Sequence, residues 1–121
     1  MDEVEVLRQL QTVYGHEPAA LQTARSTIEA ACIEMAARLK KPEYGAYPAV
    51  VSAAAAVCHF RLLLQSEQFR DGTTVFKAGD VSVQMSRAAM LEAAEYMRAE
   101  CLAAAAPYLY DDGFLFAQVT A

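Results

Sequence analysis

Between Ala49 and Cys58 the chain is apolar at nearly every position, and no other segment constrains its fold as strongly. The run reads Ala-Val-Val-Ser-Ala-Ala-Ala-Ala-Val-Cys. Ala has the highest helix propensity, and Pro48 suits the first turn of a helix. A helix that is apolar on all sides must be buried on all sides. In a chain of 121 residues it is therefore expected to be the central helix of a bundle, or to face a subunit as well. Its span is read as about 47–69, closed by Asp71-Gly72.

Three further helices surround that expectation. The first runs about 2–13, with Val6, Leu7, Leu10 and Val13 as its apolar stripe. Asp2, Glu3 and Glu5 suit its N-terminal dipole, and Gly15 ends it. The second is read as one helix over about 18–40, opened by Pro18. Leu21, Ala24, Ile28, Ala31, Cys32, Met35 and Leu39 recur along it at helical spacing. Glu34 and Arg38 stand four apart on its outer face, a favourable spacing. The last helix spans about 87–108 behind Ser86 as N-cap. Its stripe is Met90, Ala93, Ala94, Met97, Cys101, Ala104, Ala105 and Tyr108, with Glu92, Glu95, Arg98 and Glu100 opposite, and Pro107 bends or ends it. No linker, repeat or composition shift divides residues 1–121, so one helical domain is expected.

Residues 73–84 break the helical pattern. Val81, Val83 and Met85 alternate with Ser82 and Gln84, the period of a half-buried strand. Thr73, Thr74, Val75 and Phe76 suit an opposing strand, and Gly79-Asp80 is a turn signal. A two-stranded ribbon is marginal alone in water. It must lie on its own helices or on another protein. Beyond it, Asp111-Asp112-Gly113 reads as a turn before Phe114-Leu115-Phe116, an apolar arm spanning 111–121 that is uncomfortable in water. The expected class is thus mainly α: about four helices, one short β-ribbon before the last, and an extended C-terminal arm.

Charge and chemistry exclude several functions. The net charge of -5 with 10 Lys plus Arg argues against wrapping nucleic acid, which needs clustered cations. Lys40-Lys41 before Pro42 reads as a helix C-terminus. Cys32, Cys58 and Cys101 match neither a disulfide framework nor a zinc site, and read as small buried hydrophobes in a reducing compartment. His16 stands apart. His59 adjoins Cys58, but helix neighbours point about 100° apart. The Glu-x-x-His pattern of di-iron bundles is absent, as are a phosphate loop and a nucleophile elbow. Asp111-Asp112 reads as a turn and solvated edge rather than a carboxylate pair. Tyr44, Tyr47, Tyr108 and Tyr110 read as helix-end residues with packed rings and wet hydroxyls. No catalytic, cofactor-binding or metal-ligating residue is therefore expected, and no enzyme. The uncharged run Tyr44–Phe60 falls short of the ~20 strongly apolar residues of a spanning helix, so a soluble protein with no membrane partner is expected.

The order of parts resembles one known family. Helices come first, then Phe76-Lys77-Ala78-Gly79-Asp80-Val81-Ser82-Val83. An Ala-rich helix follows, ending Ala106-Pro107-Tyr108-Leu109 before an Asp-Asp-Gly-Phe tail. This is similar to the head–tail connector proteins of tailed phages and prophages, the adaptor or head-completion subunits that bind beneath the portal. In that family a Lys or Glu ahead of a Gly-Asp-Val-Ser-Val segment commonly precedes the final helix. The Val6-Leu7-Arg8 helix fits the same plan.

The resemblance implies a structural virion subunit, made in the bacterial host cytoplasm and placed at the head–tail interface. It would form a homo-oligomeric ring with the portal protein on one side and a tail or stopper protein on the other. DNA would pass through without sequence-specific binding, and an acidic lumen would repel phosphate. No cofactor is implied. Within that reading the contact residues are expected to be Phe76, Lys77, Gly79, Asp80, Val81 and Val83 of the ribbon, with Phe114, Leu115 and Phe116 of the arm. A small soluble helical protein that binds or regulates a partner stays open as the alternative, and a small enzyme or ligand-binding bundle as a third.

Overall fold

The computed structural model describes residues 1–65, 73–78 and 81–110, and the protein is mainly helical. Helix α1 spans Glu3–Thr12. Asp2 caps it, its Oδ1 accepting from the Glu5 amide at 3.3 Å, where the first-turn donors lack intrahelical partners. Val6 and Leu10 are fully buried, whereas Val13 is exposed. The expected stripe thus stops at Leu10. The helix ends at Thr12, and the chain turns through Gly15 at φ +72°, a left-handed conformation that favours glycine.

The expected single helix over 18–40 is two helices, α2 at Pro18–Thr23 and α3 at Arg25–Arg38. The joint is Ala24, at φ -95° and ψ 18°. Thr23 Oγ1 donates to the Ala19 carbonyl at 3.1 Å, a side-chain bond back into the preceding turn that bends helices. Amides of Thr27 and Ile28 both bond the Ala24 carbonyl, so α3 restarts at once. Ile28, Ala31, Cys32 and Met35 form its buried face. On the outer side the Glu34 carboxylate pairs with Arg61 of the following helix, while Arg38 Nε donates to the Tyr110 carbonyl at 3.0 Å.

A 3₁₀ turn at Pro42–Ala46 leads to α4, Pro48–Gln65. Helices α1, α3 and α5 (Arg87–Ala105) all pack on α4. Ala53, Ala54 and Ala55 have no exposed surface, and small side chains there let the neighbours approach closely. The all-round apolar helix therefore finds its burial within its own chain. By length and composition α4 is enough to cross a bilayer, contrary to the expectation from the uncharged run, but here three helices of the bundle cover it.

The buried stripe of α5 is narrower than its sequence pattern. Ala94 and Ala105 are buried, Met90, Leu91, Cys101 and Leu102 are partly buried, and Ala93, Met97 and Ala104 face out. Arg98, expected on the outer face, lies with its guanidinium 4.4 Å from the Phe60 ring centroid while pairing with Glu95 at 2.6 Å. A long cationic side chain can cover apolar surface in this way. It takes a place on the inner stripe that an Ala or Met was expected to fill.

After α5 a 3₁₀ turn at Ala106–Tyr108 contains Pro107. The chain then runs antiparallel to the end of α3. Leu39 and Leu109 form an isolated bridge, the Lys40 amide donates to the Tyr108 carbonyl at 3.0 Å, and the Tyr110 amide donates to the Arg38 carbonyl at 2.7 Å. Leu109 is 4% exposed and joins the main core with Val6, Leu10, Ile28 and Val50. Leu109→Ala is accordingly expected to lower the unfolding free energy by about 2–5 kcal/mol, read from urea unfolding followed by circular dichroism. A change below about 0.5 kcal/mol would mean that residues 106–110 are not part of the core.

Strands β1 (Thr73–Ala78) and β2 (Val81–Ser86) pair antiparallel ahead of α5. The expected turn at Gly79-Asp80, the end of the third sequence-read helix at 66–69 and the arm at 111–121 lie outside the described residues.

Candidate interaction site

The register of the ribbon places four of the expected contact residues. Phe76 is opposite Val83, Lys77 opposite Ser82, and Ala78 opposite Val81. Among the described residues β1 and β2 pair with each other and with no third strand. The outer backbone edge of each strand is thus without a strand partner there, the arrangement that accepts an added strand. Gly79, Asp80, Phe114, Leu115 and Phe116 lie outside the described residues, so the ribbon and arm are not brought together here as a site.

The end of the bundle from which the arm departs is more fully defined. The 3₁₀ turn at Pro42–Ala46, the start of α4 and the turn at Ala106–Tyr108 bring three tyrosines together. Tyr44 and Tyr108 meet edge to face at 5.2 Å between centroids, as do Tyr47 and Tyr108 at 5.0 Å, while Tyr44 and Tyr47 are tilted at 48° with centroids 5.0 Å apart. Lys41 Nζ lies 5.9 Å over the Tyr44 ring. Edge-to-face geometry places the positive rim of one ring on the negative face of another. The N-terminus closes the same end: a Cβ on Gly45 would stand 3.0 Å from the Met1 nitrogen. Tyr47 and Tyr110 remain partly exposed. The segment Leu109–Tyr110 therefore follows directly on an aromatic platform.

Two polar pairs were not legible in the sequence. His16 Nε2 and His59 Nδ1 lie 2.8 Å apart, and Tyr14 stacks on His59 with centroids 4.2 Å apart and planes 13° from parallel. Burial lowers the pKa of His16. Burial, and then the neighbouring His16, brings that of His59 down to about 4. Burial first, and then Cys101, raises that of Tyr14. The neighbouring Cys32 first, and burial second, raise the pKa of the Cys58 thiol. All three cysteines are free. Among the described residues no group of three or more His, Cys, Asp or Glu is arranged to hold a metal ion.

Several large apolar side chains face outward from the helices. Val4 is on α1, Ile33 on α3, Leu64 on α4 and Tyr96 on α5. Scattered exposure of this kind is ordinary for a small protein. Comparison with known proteins gives no match to a family model, a curated protein or a solved structure.

Proposed function

We propose that this chain is a structural subunit of the head–tail connector of a tailed phage or prophage, assembling as a ring beneath a portal protein. The ring extends the DNA channel and offers a tail or stopper protein its docking surface. The observation that carries this reading is the ribbon, two antiparallel strands with no third strand beside them among the described residues. It sits where the sequence resembles the connector family. Phe76, Lys77, Val81 and Val83, with Gly79 and Asp80 between them, form the contact with a neighbouring subunit or the portal, and strand addition supplies the affinity. Phe114, Leu115 and Phe116 insert into a neighbouring subunit or the portal. The chain acts without a catalytic step or cofactor, and DNA passes the acidic subunit without being read.

The test is light scattering of the purified protein over a wide concentration range, with and without portal rings from the same phage. The expected result is a large rise in mass on adding the portal, even if the free protein is monomeric. No rise at any concentration would overturn the reading. One observation favours the alternative of a small helical partner-binding protein: α4 is covered by its own chain, so the core does not require a second subunit. That alternative gains if a protein outside the virion, and no portal, binds the ribbon.

A further inference from the structure

The geometry points to an acid-released latch: the hydrogen bond between His16 and His59, capped by Tyr14, fastens the α1–α2 connection to α4 and lets go when both imidazoles are protonated. Its parts come from opposite sides of a packed contact. Tyr14 and His16 flank Gly15, whose left-handed conformation turns the chain back towards the bundle. His59 is in the second half of α4, one residue beyond the buried Cys58. The His16 amide itself donates to the Leu10 carbonyl at 3.0 Å, so the latch is continuous with the end of α1.

The chemistry of the contact makes it a switch. A 2.8 Å bond between two ring nitrogens needs one N–H and one lone pair. Two neutral imidazoles satisfy it, and so does one imidazolium beside one neutral ring. Two imidazoliums cannot, because both facing nitrogens are then donors and two positive charges stand in contact. The groups facing the pair offer no relief. Tyr14 from the connection and Cys101 from α5, which faces Tyr14, are both shifted upward and stay neutral in acid. No carboxylate is among the groups that shift either histidine, and Glu100 acts on Cys101 instead.

The direction with pH follows. A histidine takes up a proton near pH 6.5 when released, and His59 does so only near pH 4 when latched. The released form therefore binds more protons between those values. The latch is at full strength above about pH 6.5 and is lost as pH falls towards 4. At pH 5 the opening constant should be on the order of tenfold larger than at pH 7. Release frees the connection from Val13 onward, leaving Val6 and Leu10 of α1 in the core.

Hydrogen exchange on the full chain tests this. Protection factors, corrected for the intrinsic pH dependence of exchange, are compared at pH 7 and pH 5. The His16 amide should lose roughly tenfold in protection, while the amides of Ala53–Ala56 in α4 keep theirs. In His59→Gln, whose amide can still bond His16 but does not titrate, the His16 protection should respond to pH clearly less than in the natural chain, because only the buried His16 is left to take up a proton. His16→Gln provides the same comparison from the other partner if the first variant fails to fold, read then at the Val13 amide, which bonds the Gln9 carbonyl. Equal His16 protection at pH 7 and 5 in the natural chain would overturn the latch. So would an unchanged pH response in the Gln variants, or loss of α4 protection in step with His16, which is global acid unfolding.

Discussion

Ala54→Asp should leave the chain unfolded at neutral pH. Ala54 has no exposed surface, and it sits mid-way along α4, the helix on which α1, α3 and α5 all pack. An aspartate there must bring a charge into an apolar, closely packed site. No buried polar or charged side chain exists among the described core residues to receive it. The effective cost of an unpaired buried ion is several kcal/mol, and the larger side chain adds about 1–3 kcal/mol of overpacking. A domain of this size has roughly 5–15 kcal/mol in total. Circular dichroism should show the helical signal reduced and the cooperative melt gone. Ala103→Asp, exposed in the last turn of α5, is the control and should cost only about 1–2 kcal/mol and leave the chain folded. A folded Ala54→Asp protein melting within a few degrees of the natural one would show that the α4 face is open to water.

Ending the chain at Tyr110 should separate folding from assembly. Leu109 is buried, and the Tyr110 amide is bonded to the Arg38 carbonyl, so residues 1–110 retain every core contact described here. Their melting temperature should stay within a few degrees of the full chain. On the connector reading the same protein should bind portal rings at least tenfold more weakly, because Phe114, Leu115 and Phe116 are gone; tenfold corresponds to about 1.4 kcal/mol. A loss of several kcal/mol in folding stability would instead place the arm in the subunit's own core. The contrast with Leu109→Ala matters, since that change strikes the core a few residues earlier.

The helical class was legible because Ala-rich stripes at helical spacing are local and repeated. The run from Ala49 to Cys58 even indicated its own central place, since ten nearly uncharged positions leave no side for water. What it left open was who covers it, and α1, α3 and α5 of the same chain pack on it. The stripe of α5 was misjudged for a related reason. Ala fits either a buried or an exposed face, so Ala93 and Ala104 carried little information, and Arg98 on the inner side was hidden by its charge. The break falls at Ala24, beside a Thr23 side chain that bonds back to Ala19, and periodicity does not register it. His16 and His59 are 43 residues apart, and nothing in the spacing of either announces the other. The ribbon was the reverse case: alternation marked the strands Thr73–Ala78 and Val81–Ser86 locally.

Negative-stain microscopy of portal rings incubated with the natural protein tests the central claim most directly. The account predicts an added ring of density on the portal face from which the tail would grow. That density should be missing when Val81 and Val83 are both replaced by Pro, which cannot donate to a strand ladder. The variant's helical circular dichroism should stay unchanged. Portal rings that remain bare at saturating concentrations of the natural protein would contradict the account.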